Sequence, residues 1–210
     1  MLKKIAIVDY GLGNILSAQK SFLKVIKENK INAEIKITND PKIIKNSSHV
    51  VLPGQGAFQT CMKGLSSLPG MIDELNSFAI LKKKPFLGIC VGMQLLALES
   101  EENGSYKGLG WIKGNIKKLP QKNLKMPHMG WNSIKLRNNQ NTNICPKEKD
   151  YYFVHSYYFQ CLEEANILAE TVYGIKFTSI VVKENIYGVQ FHPEKSSVQG
   201  LEIIKQFVEL

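Results

Sequence analysis

One thiol in this sequence stands where a nucleophile could work. In Gly88-Ile89-Cys90-Val91-Gly92 an apolar run ends at a cysteine with a glycine two residues to either side, and the helix-like MQLLALES follows. A strained strand-to-helix turn of this kind presents its central side chain above a sheet, and the glycines let neighbouring backbone come close. A thiol there would also feel the first turn of the helix, which favours thiolate and offers N–H groups to an oxyanion. The pentapeptide alone is equally compatible with a tight turn around a buried structural cysteine.

A second cluster supplies the rest of a triad. In Gly188-Val189-Gln190-Phe191-His192-Pro193-Glu194 the histidine and the carboxylate are one residue apart. If the proline keeps the chain extended, residues i and i+2 point the same way, so Glu194 can orient and stabilise a charged His192. Taken singly, each is better read as a strand-end histidine and a solvated glutamate; taken with Cys90 they form nucleophile, acid–base and orienting group. An α/β-hydrolase runs nucleophile, acid, histidine along the chain, whereas here the acid follows the histidine, so esterase or lipase chemistry is disfavoured.

Two further segments bear on chemistry. Pro53-Gly54-Gln55-Gly56, directly after the apolar HVVL, frees backbone to approach a ligand or to change peptide orientation, as an oxyanion-binding strand requires. A routine β–α turn has the same look. Gln94 follows Cys90 by four residues and would share its helix face. The early Asp9-Tyr10-Gly11-Leu12-Gly13-Asn14 has only GxG and lacks the third glycine of a dinucleotide fingerprint, so NAD binding is rejected.

The elements that must position these residues alternate in the first half. IAIVD at 5–9 precedes an amphipathic helix over 15–28; AEIKIT at 33–38, HVVLP at 49–53 and PFLGI at 85–89 read as further strands, the last preceded by a helical pattern over 71–84. Apolar strands without alternation, separated by helices, imply βα units around a parallel sheet covered on both faces. From Gly108 onward GWIKGNIKKL, GWNSIKL, YYFVHSYYF, ILAETVY and IYGVQF read as antiparallel strands added beside the parallel ones. Residues 137–150 are polar and Asn-rich, a surface loop, and a last helix is expected over roughly 197–209. The fold class is therefore α/β, with a mixed, mostly parallel central sheet flanked by helices and antiparallel additions in the C-terminal half.

The 210 residues suit one domain, and 44% hydrophobic with 21% charged residues excludes disordered and fibrous classes. Lysine and arginine total 27 against 18 acidic residues, a net +9, which raises nucleic acid, an anionic membrane or an acidic partner. Arg137 is the only arginine, however, and a lysine excess without the planar fork of arginine argues for solubility or weak steering rather than nucleic-acid recognition. The four cysteines form no CxxC pair, no apolar run approaches a membrane span, and no leader precedes the first strand; a reduced, cytoplasmic protein without metal or cofactor is expected.

GICVGMQLL together with GVQFHPE resembles the class I, triad-type glutamine amidotransferases. DYGLGN, LPGQGAF, PHMGWN, YFVHSY and GVQFHPEKS narrow the resemblance to the amidotransferase subunits of imidazole glycerol phosphate synthase, over Asp9 to Ser196. The resemblance implies one type-1 amidotransferase domain over 1–210 that hydrolyses glutamine through Cys90, His192 and Glu194 and feeds ammonia to a cyclase in histidine biosynthesis. It implies backbone oxyanion donors at Val91 and Gly54-Gln55-Gly56, and substrate contacts at Gln94, His155, Ser156 and Tyr157. It also implies a heterodimer with a (β/α)₈-barrel cyclase through Asn14, Trp131, Tyr152 and Lys195. The family commonly has valine where this chain has Gln55; a backbone N–H is indifferent to that change. A paralogous synthase outside histidine biosynthesis and a non-catalytic regulatory subunit are the rival readings, the second disfavoured by the intact triad.

Overall fold

Four parallel strands carry the site, and their sequence explains why they are buried. In the computed structural model, which describes residues 2–121, 124–137 and 142–210, β1 (Lys3–Val8), β2 (Ala33–Thr38), β3 (His49–Gly54) and β4 (Phe86–Cys90) lie in the order β2-β1-β3-β4, all parallel. Ile5 to Val8, Val50 to Leu52 and Phe86 to Ile89 are without alternation in exposure, as expected where helices cover both faces. Helix α1 (Ile15–Glu28) turns Ala18, Phe22 and Val25 inward at helical spacing and meets the C-terminal helix, residues 197–209, where Phe22 and Phe207 pack edge to face at 6.3 Å.

The strand Ile186–Val189 joins the parallel block beside β4, in register from Ile186 opposite Phe86 to Val189 opposite Ile89. The reading of this segment as an antiparallel addition is thus corrected: its return connection comes from Ile175–Lys183, the long antiparallel strand that separates the two halves of the sheet. Beyond it the sheet continues antiparallel through Tyr157–Cys161 and Gly114–Lys118, with Ile167–Tyr173 also paired to 175–183. The strand 175–183, which alternation did not reveal, is the hinge of the architecture, and helix Phe58–Ser66 was likewise not read from the sequence.

Three expected elements differ. YYFVHSYYF is two strands in two sheets: 150–155 pairs with 128–133 in a separate two-stranded ribbon, and 157–161 joins the main sheet, with Ser156 between them. The helical pattern over 71–84 is an α-helix only over Met71–Asn76, continued by a π-turn at Ser77–Leu81. The helix after Cys90 is a single turn, Val91–Gln94. The carbonyls of the residues that follow it are captured from outside: the N–H groups of Leu109, Ile112, Gly110 and Gly108 donate to Leu95, Leu96, Ala97 and Leu98, so the helix does not continue. Part of the polar loop expected at 137–150, residues 138–141, lies outside the described residues.

Candidate active site

Register brings the site residues together at the carboxyl ends of the parallel strands. Gly54 at the end of β3 is opposite Cys90 at the end of β4, and the strand on β4's other side ends at Val189, just before Gln190 and His192. Ligands of open α/β sheets bind at this edge. Cys90 has φ 55° and ψ −112°, a backbone arrangement that costs a residue with a side chain on the order of 1–3 kcal/mol. The surroundings enforce it. A methyl on Gly92 would overlap the Leu52 carbonyl oxygen, one on Gly88 would meet the Gly92 oxygen at 2.6 Å, and one on Gly54 would meet the Gly92 nitrogen at 2.5 Å. Gly92 is thus required by the close approach of β3, and Gly88 by the turn folding back over it.

Cys90 and His192 are both buried, 3% exposed each. His192 Nδ1 is 2.8 Å from Glu194 Oε1, with both side chains almost fully enclosed. The geometry differs from the expected extended tripeptide: His192 is extended at φ −97°, but Pro193 opens a 3₁₀ turn over 193–195 that folds Glu194 back under the ring. Ser196 locks this turn, accepting from the Tyr152 N–H and donating to the His192 carbonyl, while the His192 N–H donates to the Tyr152 carbonyl. Burial alone would lower the His192 pKa; the charge and hydrogen bonding of Cys90 and Glu194 outweigh it and lift the ring to about 10. Nε2 is buried with no well-formed hydrogen-bond partner, so Cys90 acts on the ring across a loose contact. An imidazolium is the form that can pair with a thiolate and has a proton to give to a departing amine.

Beside the thiol is a cavity of about 220 Å³, lined in part by Gln55, Gly56, Val91, Gln94, His155, Ser156 and Tyr157. That is small for a ligand site, suited to an amino-acid side chain rather than a nucleotide. Gly54 is not at its wall; it packs against Val91 and Gly92. Gln94 is buried and donates through Nε2 to the Tyr157 carbonyl at 2.9 Å and to Gln190 Oε1 at 3.0 Å, which leaves its carbonyl end for a ligand. His155 uses both ring nitrogens on protein groups, His128 and the Tyr157 carbonyl, so it can offer substrate only backbone and packing.

Trp131, Tyr152 and Lys195 form one cluster: the indole and phenol rings are 6.1 Å apart, edge to face, and the Lys195 ammonium stands 5.9 Å from the Tyr152 ring centroid. Trp131 is 51% exposed, the large apolar group of an unpartnered face. Asn14 is not part of this cluster; it precedes α1, on the loop whose Gly13 approaches Pro53 and Gly54. Three site residues escaped sequence reasoning. Glu102 lines the cavity while its carboxylate accepts from the Phe58 N–H at 2.7 Å, and burial raises its pKa despite that bond. Gln190 places Nε2 3.8 Å from Cys90 Sγ. His128 underlies His155. Gln190, inside GVQFHPE, and His128, inside PHMGWN, lay in quoted motifs; Glu102 carried no local signal.

Residues 7–210 match the family model described as glutamine amidotransferase class-I. The chain is 42% identical to the imidazole glycerol phosphate synthase subunit HisH of Rhodospirillum rubrum, over 98% of both sequences. It is 44% identical to the protein of the same name from Pelagibacter ubique, over 98% of this chain and 99% of the other. A crystal structure of a glutamine amidotransferase superposes with a TM-score of 0.70 at 17% identity, covering 97% of each chain, which shows the shared fold.

Proposed function

The chain belongs to the class-I glutamine amidotransferase family, and from that premise we propose that it is the glutamine-hydrolysing subunit of an imidazole glycerol phosphate synthase, serving histidine biosynthesis as one domain over 1–210. The observation that carries this reading is the buried constellation of Cys90 at a strained elbow and His192 with Glu194 bonded to its inner nitrogen.

In the proposed reaction the Cys90 sulfur attacks the side-chain amide carbon of glutamine, and negative charge develops on the amide oxygen. The N–H groups of Val91 and of the Gln55–Gly56 segment border the cavity and receive that oxygen. The C–N bond breaks as His192 gives its Nε2 proton to the leaving nitrogen, producing ammonia and a thioester on Cys90. His192, now neutral, takes a proton from water, whose oxygen attacks the thioester and releases glutamate. Glu194 holds the ring's orientation through both halves. Gln94 contacts the substrate through its carbonyl end, and Ser156 and Tyr157 shape the pocket through backbone. The Glu102 carboxylate at the far wall is suited to the substrate's α-ammonium group.

Free ammonia would be lost to protonation in water, so a cyclase must receive it directly. We assign the partner as a (β/α)₈-barrel cyclase, docked in a cytoplasmic heterodimer on the face that carries Trp131, Tyr152 and Lys195, with Asn14 at its margin. Among the described residues no helix is long and apolar enough to cross a membrane. The decisive measurement is glutamate release by the chain together with its cyclase, with and without Cys90→Ala. Complete loss in the variant is expected, and residual turnover near the wild-type rate would refute the assignment. Release by the isolated chain should be far slower than with nucleotide-loaded cyclase if the 53–56 segment changes arrangement on activation.

A further inference from the structure

His128 and His155 are both buried, 3% and 7% exposed, beneath the wall of the cavity opposite the 53–56 segment. His128 stacks on Tyr173 and Phe153 at 4.0 and 4.9 Å, and His155 meets Phe177 at 5.1 Å. Two polar rings in an aromatic box are costly unless every nitrogen is satisfied. They are satisfied in only one direction. His155 Nδ1 lies 2.8 Å from the Tyr157 carbonyl, which can only accept, so Nδ1 bears the proton and Nε2 a lone pair. That lone pair faces His128 Nδ1 at 2.9 Å, so this nitrogen bears the second ring's proton, and His128 Nε2 accepts from Asn132 Nδ2 at 3.1 Å. Asn132 cannot turn its amide round, because Nδ2 also donates to the Val172 carbonyl and Oδ1 accepts from the Ser133 N–H. Burial keeps both rings neutral, with pKa values lowered to about 4 for His128 and about 3 for His155.

The chain does not stop at His155. The Tyr157 carbonyl that it fixes is the acceptor for Gln94 Nε2, the same amide donates to Gln190 Oε1, and this leaves Gln190 Nε2 facing Cys90 Sγ. Asn132 adjoins Trp131 on one strand, so the outer end lies beside the face assigned to the cyclase. We propose that Asn132, His128, His155 and Gln190 are positioning residues for glutamine hydrolysis: the donors of the histidine pair and of Gln94 converge on the Tyr157 carbonyl, which holds that carbonyl and with it the Gln94 amide, and Gln190 turns an N–H toward the nucleophile. The inference rests on the reading of the cavity as the glutamine site and assigns that site's alignment to side chains whose polar atoms are spent on protein groups.

The test opposes two substitutions at His128. His128→Phe keeps the stacking and removes both nitrogens; His128→Asn gives up the stacking and puts an amide N–H where Nδ1 stood. With the cyclase bound, His128→Phe should raise the KM for L-glutamine about tenfold with kcat within about threefold, the scale of one lost buried hydrogen bond, and His128→Asn should recover most of that loss. The opposite order, or an unchanged KM in His128→Phe, overturns the proposal in favour of packing alone. ¹⁵N NMR of the wild-type histidines needs no variant to fold: both rings should be neutral with the proton on Nδ1, and a proton on Nε2 of either ring at pH 7 overturns the chain. An inactive wild-type complex would count against the glutaminase assignment, while the NMR result would still decide the hydrogen-bond direction.

Discussion

The two walls of the cavity are held on opposite terms. On one side the Ser156–Tyr157 corner is anchored by buried side chains, with the Tyr157 carbonyl accepting from both His155 and Gln94. On the other side the 53–56 segment is shaped by what it lacks. Gly54 fits against Val91 and Gly92 only because neither glycine has a side chain, Gly56 has φ 102°, and Gln55 and Gly56 are exposed. Its side-chain restraints are few: the Tyr10 hydroxyl donates to the Pro53 carbonyl at 2.6 Å, and the Cys61 thiol makes a weak 3.4 Å contact to the Gln55 carbonyl. The proposed reaction thus puts substrate recognition on an anchored wall and oxyanion binding on a lightly tethered one. A peptide plane that has to change orientation belongs on the second, since a buried and doubly bonded carbonyl would cost on the order of 1–3 kcal/mol for each bond abandoned.

The largest test strikes the tethered wall at its fulcrum. Gly92→Ala places a methyl against the Leu52 carbonyl oxygen, so β3 and the elbow must part and the 53–56 segment moves with β3. Misplacement on this scale costs about 100-fold in kcat/KM. The variant should still melt cooperatively, because the disturbance is confined to the ends of β3 and β4 and leaves the anchored wall and the antiparallel half of the sheet in place. Turnover within a few-fold of wild type would break the idea that this close approach holds the oxyanion wall.

How far the site was readable from sequence follows the same division. The tethered wall and the triad are local: GICVG, PGQG and HPE each announce themselves within seven residues, and the period of α1 and of the C-terminal helix fixed their bounds at 15–28 and 197–209. The anchored wall is made of pairings between residues far apart. His128 and His155 are 27 residues apart, Gln94 and Gln190 are 96 apart, and no local pattern marks either pair. The over-read helix after Cys90 failed for the same reason, since the carbonyls of the residues that follow its single turn are taken by the distant N–H groups of 108–112. The 3₁₀ turn at Pro193 was missed because proline suits an extended chain and the first residue of a helical turn equally well.

The second test reads the anchored wall by pH. His128 and His155 have folded pKa values of about 4 and about 3, below the ordinary 6.5. Between pH 6.5 and 4 the unfolded chain therefore binds protons that the native chain does not, and native stability falls as pH falls through that window. His49, lowered to about 4 mainly by burial, adds to the same slope. His192 has the opposite sign: its pKa is raised to about 10, so its contribution is full below 6.5 and is lost as pH rises toward 10. Unfolding free energies from urea titrations at pH 6.5 and 4.5 should differ by on the order of 4 kcal/mol through the His128–His155 pair, about 2 for each ring. His128→Asn, which removes one titrating ring, should flatten that difference; an unchanged slope would move the buried protonation cost elsewhere.

The smallest effect is expected at Gln55. Gln55 is exposed, and the Cys61 thiol meets its backbone carbonyl, not its side chain. In the proposed reaction the tethered wall contributes a peptide N–H, and a peptide N–H does not depend on the side chain beside it. Gln55→Val should leave glutamine hydrolysis in the cyclase complex within about tenfold, at most about 1.4 kcal/mol in the barrier. Valine does narrow the backbone choices of the segment, because a β-branched side chain is stiff at χ1 and poorly suited to turns. The sensitive readout is therefore the ratio of activated to basal rate rather than the activated rate itself. A loss well beyond tenfold in the activated complex would mean that the Gln55 side chain takes part in the site, and the contrast between a wall that recognises through side chains and one that acts through backbone would no longer hold.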